Sequence, residues 1–355
     1  MRASLASLSL LLAACATPPA PPGPAPSPAP AATAAAPVTP AAPGMPGAQG
    51  RVAGRGERLL VYVPVEGDTV AGVAARFLGD AGLAWQVAEA NGQRWQLQPG
   101  APVVVPLVPH DPLGVTADGV QAIPILCYHR FGSPASKMVV APAQFEAQLD
   151  WLARNHYRVL RLADVSDFLA GRRALPVRSV VITIDDGYES AYRHAYPLLK
   201  KFGFPATLFV PTDFIGARDA LSWAQLDELA RSGLVDIQAH SKTHRNLVVR
   251  ADGETEAAHR LSIDNELRQP RTVLDRRLGG SGVDVRHFAY PFGAADASVL
   301  DAMQRQPYEL GLTVNPGGNA FYAAPLLLRR TMIFGDNDLE AFKARLQGPR
   351  GGTRP

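Results

Sequence analysis

The sequence predicts an α/β fold: a distorted or partial (β/α) barrel over residues 122–346, preceded by a small βααβ domain over residues 58–108. Three observations carry this. From residue 122 onward, short apolar runs alternate with stretches of helical spacing, the pattern of parallel strands joined by crossover helices. Several of those runs end in polar residues, as strands do at the rim of a barrel. Ahead of them, residues 58–108 carry their own strand–helix–helix–strand pattern, closed by a Pro/Gly/Asp linker at 109–121.

The chain has 355 residues, a formal net charge of +3 and 47% hydrophobic residues. That is enough for two domains plus accessory segments. No Lys/Arg block or basic–aromatic stripe occurs, so nucleic acid is not an expected partner. Two cysteines, Cys15 and Cys127, are too few for a disulfide framework. Cys127 lies in an apolar run and reads as a buried, inert thiol.

Residues 1–14 read as a targeting segment, with Arg2 ahead of the apolar run Leu5 to Leu12. The run is too short to span a bilayer. It ends in Leu12-Ala13-Ala14-Cys15, which resembles a bacterial lipobox. The resemblance implies cleavage before Cys15 and lipidation of its thiol. It further implies a bacterial cell-envelope location, held to the membrane through a lipid anchor only. Ala16 is not the aspartate of the inner-membrane retention rule, so the expected site is the outer membrane facing the periplasm. Residues 15–57, rich in Ala and Pro, read as a tether, and 347–355 as a disordered tail.

In the small domain, Leu59 to Val63 is the first strand. Asp68 or Thr69 caps a helix whose apolar positions include Val73, Ala74 and Phe77. A second helix around Leu83 to Ala90 stops at Asn91-Gly92, residues that tolerate left-handed backbone. Pro99-Gly100 turns the chain into the strand Val103 to Pro106. Gly67-Asp68-Thr69, Asn91, Pro99-Gly100 and Val105-Pro106 resemble a LysM module. The resemblance implies a shallow groove for N-acetylglucosamine-containing glycans such as peptidoglycan.

The barrel opens with Ile123 to Cys127, an apolar strand ending in Tyr128-His129. Phe145, Leu149 and Leu152 share one face of a helix over Phe145 to Asn155. A helix over Asp164 to Ala170 follows. Val180 to Ile184 shows no alternation, so it reads as a buried parallel strand. It runs into Asp185-Asp186-Gly187. A helix to about Phe202 closes at Gly203, and strand Thr207 to Val210 follows. Next come a helix over Ala224 to Arg231 and a strand over Val235 to Ala239 that ends at His240. Helix, strand and helix follow at 255–278, 285–291 and 296–305.

Four strand ends thus carry Tyr128-His129, Asp185-Asp186, His240-Ser241-Lys242-Thr243-His244 and Tyr290-Pro291-Phe292-Gly293. In a barrel they share one rim. His240 and His244 can ligate one divalent metal if their loop turns as a helix does, with Asp186 as third ligand and a position left for water. Two imidazoles and a carboxylate suit Zn first, with Co, Ni or Fe as alternatives.

Together these residues resemble the polysaccharide deacetylases of carbohydrate esterase family 4. Thr183-Ile184-Asp185-Asp186-Gly187 is similar to that family's first motif and His240-Ser241-Lys242-Thr243-His244 to its second. Tyr290-Pro291-Phe292-Gly293 matches the third in part. Trp223, ahead of Ser232 to Asp236, resembles the subset that includes poly-N-acetylglucosamine deacetylases. The resemblance implies removal of acetyl groups from N-acetylglucosamine in a cell-envelope or extracellular polysaccharide. It makes Asp185 the general base, Asp186, His240 and His244 the metal ligands, and Phe292 an oxyanion donor through its backbone. Tyr290 and Trp223 are expected at the substrate.

Three departures stand out. Ala289 and Phe292 occupy the places of the third motif's arginine and tyrosine, and Arg329-Arg330 follows Leu326-Leu327-Leu328 where the last motif has Leu-x-His. Arg329 or Arg330 is therefore the candidate partner for Asp185. His129 is the candidate general acid. Two other readings stay open: a non-catalytic peptidoglycan-binding lipoprotein, and an esterase acting on acetylated xylan.

Overall fold

In the computed structural model, which describes residues 48–108, 113–116 and 119–346, the chain enters a three-stranded antiparallel sheet. The expected leader, Cys15 and the 347–355 tail lie outside the described residues. Strands β1 (Arg51–Arg55) and β2 (Leu59–Val63), helices α1 (Val70–Leu78) and α2 (Ala84–Ala90), and strand β3 (Val103–Pro106) follow one another. β2 pairs with both β1 and β3. The expected βααβ order is present, with one strand added. The tether expected to reach residue 57 stops earlier, because Arg51–Arg55 covers the open edge of β2. Asp68 fastens this entry: it accepts from the N–H of Gln49, Gly50 and Val65 and from the Tyr62 hydroxyl. Asn91 ties α2 to β3 by exchanging hydrogen bonds with Val104 while donating to the Val87 carbonyl. The linker also holds structure, since β4 (Val115–Thr116) and β5 (Gly119–Val120) pair antiparallel.

The larger domain runs through β6 (Ile123–Tyr128), β7 (Arg130–Phe131), β8 (Val139–Val140), α3 (Pro142–Arg154), β9 (Arg158–Leu160) and α4 (Leu162–Leu169). It continues with β10 (Ser179–Ile184), α5 (Tyr196–Phe202), β11 (Ala206–Val210), α6 (Trp223–Arg231), β12 (Val235–Ala239) and α7 (Glu256–Leu278). β13 (His287–Ala289), α8 (Ala297–Gln304), β14 (Leu310–Leu312), β15 (Gly318–Asn319), β16 (Thr331–Met332) and α9 (Leu339–Leu346) complete it.

The parallel strands lie in the order β14-β13-β12-β11-β10-β6. Every residue of β6 and β10 is buried, as expected of strands covered on both faces. Alternate residues feed two cores. Leu126, Tyr128, Ile182 and Ile184 pack under the helices, whereas Ile125, Val181, Phe209 and Leu312 pack in the interior.

The curled sheet stops short of a regular barrel. A strap over residues 325–333 spans the gap. On one side the Leu328 N–H donates to Gly311 and its carbonyl accepts from Thr313. On the other, β16 pairs with β6 and the Ile333 N–H donates to Cys127.

The two domains touch where the barrel strands begin. Glu89 of α2 accepts the Val177 N–H at 2.8 Å, just before β10. Trp95 stacks on His156, just before β9, with ring centroids 5.2 Å apart.

Inside β13, burial pushes the His287 imidazole down to about 4 from the ordinary 6.5. Between those values the unfolded chain binds more protons than the folded one, so stability falls as pH drops from 6.5 toward 4. Each unit of difference is worth ~1.4 kcal/mol. Denaturant melts across this window should show a shallower pH slope for His287→Leu than for the native chain. Equal slopes would contradict the burial described here.

Candidate active site

The site forms where β6, β10, β12 and β13 end. β10 runs into Asp185, which is 2% exposed. The next residues turn sharply, with Asp186 at φ 71° and Gly187 at φ 64°. A Cβ on Gly187 would meet Val210 Cγ1 at 3.0 Å, so glycine is needed for space as well as angle. The turn sends the two carboxylates to different neighbours.

Asp185 points toward the strap. Arg330, fully buried, grips it with both guanidinium branches, at 2.7 Å to Oδ1 and 2.6 Å to Oδ2. Two further N–H groups reach Thr313 O and Thr183 Oγ1. Burial alone would push the Asp185 carboxyl up. The Arg330 charge, followed by that of His240, outweighs burial and holds it below the usual carboxylate range. Of the two candidate arginines, Arg330 therefore replaces the expected partner of Asp185. Arg329 turns away to the Pro316 carbonyl. Cys127 is buried as expected, yet it has a neighbour that its apolar run did not foretell: its Sγ lies 3.5 Å from Asp185 Oδ2.

Asp186 points at the histidines. Its Oδ1 lies 3.3 Å from His240 Nε2 and 3.1 Å from His244 Nε2. The His240 Nδ1 is 2.7 Å from the Ala289 carbonyl, which fixes that nitrogen as the donor and leaves Nε2 bare toward Asp186. Asp186 Oδ1 is buried and takes no hydrogen bond among the described residues. One ligand atom from each of the three residues lies within 4.8 Å of the others. An orphaned carboxylate oxygen facing two imidazole nitrogens fits a divalent cation, and this donor set matches three-ligand sites that keep one position open.

The histidine loop is not the helical turn expected from its spacing. Ser241 and His244 adopt left-handed angles, φ 66° and 60°, and the His244 N–H donates to Ser241 Oγ. Glu266 of α7, 3% exposed, braces this loop from behind. It accepts from the N–H groups of Lys242 and Thr243 and from the Thr243 hydroxyl. Nothing in the sequence marks Glu266 except an acidic residue at a core-facing helix position.

Phe292 projects from the rim with 63% exposure, and its ring meets His244 edge-on at 5.0 Å. Its φ of 59° is unusual for a bulky residue. Its N–H is engaged by no hydrogen bond among the described residues. His129 joins the site at the end of β6, with a ring nitrogen within 4.8 Å of an Asp185 oxygen and of Cys127 Sγ. Burial lowers its pKa, against the opposing pull of Asp185 and Asp186.

The geometry agrees with what comparison of the chain finds. Residues 172–311 match the family model described as polysaccharide deacetylase. The chain carries a polysaccharide deacetylase domain. YxkH of Bacillus subtilis (strain 168) is 29% identical over 228 residues, 63% of this chain and 76% of that one. The poly-beta-1,6-N-acetyl-D-glucosamine N-deacetylase of Staphylococcus aureus (strain MRSA252) is 28% identical over 53% of this chain and 67% of that one. Among solved structures, IcaB from Ammonifex degensii is 28% identical with a TM-score of 0.57, covering 64% of this chain and 98% of that one. The Streptococcus pyogenes deacetylase PplD is 26% identical with a TM-score of 0.57, covering 63% and 98%. His129 and Arg330 of the deacetylase domain fall outside the 172–311 match, whereas the Asp and His cluster and Phe292 fall within it.

Two expected substrate residues are placed elsewhere. Tyr290 is fully buried and its hydroxyl donates to the Leu326 carbonyl, because the strand's alternation turns it into the core beside Phe288. Trp223 opens α6 and packs in the α6–α7 seam, with the Arg277 guanidinium 4.8 Å above its ring. Both serve packing.

Arg330→Met would leave Asp185 buried without its cation, a change that costs about 3–5 kcal/mol. A melting temperature within a degree or two of the native chain would show that the pair does not anchor the strap. Glu266→Ala should weaken divalent-ion binding by about 10–100-fold, the usual effect of removing support behind a ligand loop. Competition with a chromogenic chelator measures this directly, and an unchanged affinity would remove Glu266 from that role.

Proposed function

We propose that the deacetylase domain is a metal-dependent hydrolase that removes acetyl groups from N-acetylglucosamine residues of a cell-envelope or extracellular polysaccharide. The observation that carries this reading is the split of two adjacent carboxylates. One is held by a buried arginine and stands farther from the His240 Nε2, at 3.8 Å against 3.3 Å for its neighbour. The other joins two imidazoles in a donor trio. Relatives named as N-deacetylases of poly-beta-1,6-N-acetyl-D-glucosamine support the amide and the sugar.

Asp186, His240 and His244 would hold the ion, most simply Zn. When bound, it supplies Lewis acidity to the acetyl carbonyl and to water. The protein's own groups do the rest. Asp185 takes a proton from the attacking water. Arg330 keeps Asp185 a weak base, so the carboxyl does not retain that proton and can pass it on. The free Phe292 N–H supports the oxygen that becomes negative as the carbonyl carbon turns tetrahedral. The proton that Asp185 takes from water passes to His129, whose ring nitrogen lies within 4.8 Å of an Asp185 oxygen, and His129 delivers it to the departing nitrogen, so amine and acetate leave in balance.

An O-acetyl ester would meet the same residues, so the test needs both bond types. Acetate release should be measured on N-acetylglucosamine oligomers and on acetylated xylan fragments, with and without chelator. The expected outcome is chelator-sensitive release from the amide substrates and a loss of at least about 100-fold for Asp185→Asn. Equal rates for native chain and variant would refute the base assignment, and faster ester than amide turnover would favour the xylan reading.

A further inference from the structure

A second set of donors stands beside the first. Cys127 in β6 and His129 just past its end are two residues apart, so they face the same way, into the half-barrel. β10 runs parallel to β6 with Ile184 level with Tyr128. The Asp185 N–H donates to the Tyr128 carbonyl, which carries the pairing one residue further and brings Asp185 beside His129. One ligand atom each from Cys127, His129 and Asp185 lies within 4.8 Å of the others. Among the described residues, this trio and that of Asp186, His240 and His244 are the two places where three such side chains converge. The trios adjoin, since Asp185 Oδ2 is 3.8 Å from His240 Nε2.

The two differ in chemistry. The first offers nitrogen and oxygen, whereas the second adds a sulfur, the donor that softer divalent ions prefer. Neither ring nitrogen of His129 takes a hydrogen bond among the described residues, so the imidazole is free to bind. His129 is only partly buried and Cys127 fully so, which puts the imidazole at the mouth and the sulfur beneath it. The Cys127 thiol donates to Asp185 Oδ2 at 3.5 Å. An ion entering here displaces that proton to bulk water and bonds to the sulfur. The Oδ2 lone pair that held the proton is freed for the ion. Two things oppose it: burial holds the thiol protonated, and the Arg330 guanidinium already spans Asp185. This trio is therefore the weaker of the two and fills second.

We propose that Cys127, His129 and Asp185 form a second, inhibitory metal site, filled by a sulfur-binding divalent ion such as Zn once the first site is loaded. The site stands on the geometry above. That filling it stops turnover rests on the reading of Asp185 as base and His129 as acid. One ion there occupies both, so Asp185 cannot take the water's proton and His129 cannot carry it. An excess of the activating ion thus limits its own effect.

The full chain, stripped by chelator and dialysed against Zn alone, tests the site. At saturation the native chain should bind one ion more than Cys127→Ala or Cys127→Val; Cys15 is present in all three and cancels. With Co in place of Zn, sulfur-to-metal charge-transfer absorption should appear with the second ion and be missing from both variants. With one ion bound, acetate release from N-acetylglucosamine oligomers should be the same in all three. Excess Zn should inhibit the native chain, and the half-inhibiting concentration should rise at least about tenfold in the variants, since losing even a group that supports a ligand weakens binding about 10–100-fold. Equal ion counts in the native chain and a folded variant would overturn the site, and equal inhibition would overturn its inhibitory role. Alanine shortens the side chain and valine refills the space, so one variant can stand in for the other. Should both fail to fold, the cobalt spectrum of Cys15→Ser decides, and a spectrum without the sulfur band overturns the proposal. A chain that released no acetate would overturn the functional reading, while ion count and spectrum would still decide the site.

Discussion

The buried pair of Arg330 and Asp185 is the constraint on which the rest of this domain depends. A cation and an anion at 0% and 2% exposure are costly to desolvate, and such a pair survives only when its hydrogen bonds are filled. Here four of the five guanidinium N–H groups are engaged: two on the carboxylate oxygens, and one each on Thr313 O and Thr183 Oγ1. The arginine comes from the strap that completes the half-barrel, and the aspartate from its central strand. One interaction therefore closes the fold and aims the Asp185 carboxylate. Neither could be released without disturbing the other.

Around that pair the backbone carries strain where chemistry is expected. Of seven non-glycine residues with positive φ among the described residues, Asp186, Ser241, His244 and Phe292 belong to this one rim. Such conformations cost of order 1–3 kcal/mol each and persist only where the surroundings hold them. The holding groups are visible: Glu266 behind the histidine loop, Ala289 O on His240, and the Val210 wall against Gly187.

Much of this was legible in the sequence. The alternation of apolar runs and helices gave the main parallel strands, and the carboxylate and histidine motifs sat at their ends as placed. What stayed hidden has physical reasons. Strands β9, β14 and β16 are two or three residues long, too short for any period to register. The expected tether contained β1 because Arg51-Val52-Ala53-Gly54-Arg55 is too short and too little apolar to register as a strand, and it is held by an edge rather than a core. Tyr290 was misplaced because a motif fixes a residue's position but not which face of the strand it shows. Arg330 could be narrowed only to a pair, since adjacent residues on an extended strap point opposite ways. Glu266 and Cys127 act through contacts made across the fold, which local spacing does not encode.

The docking of the small domain at the strand starts sets the orientation of the whole assembly. The rim that carries Asp185, Asp186, His240 and His244 lies at the opposite ends of the same strands. β10 alone, six residues at ~3.3 Å each, puts roughly 20 Å of solid protein between the two. Anything that reaches the Asp185 and Asp186 carboxylates therefore approaches from the side turned away from the small domain.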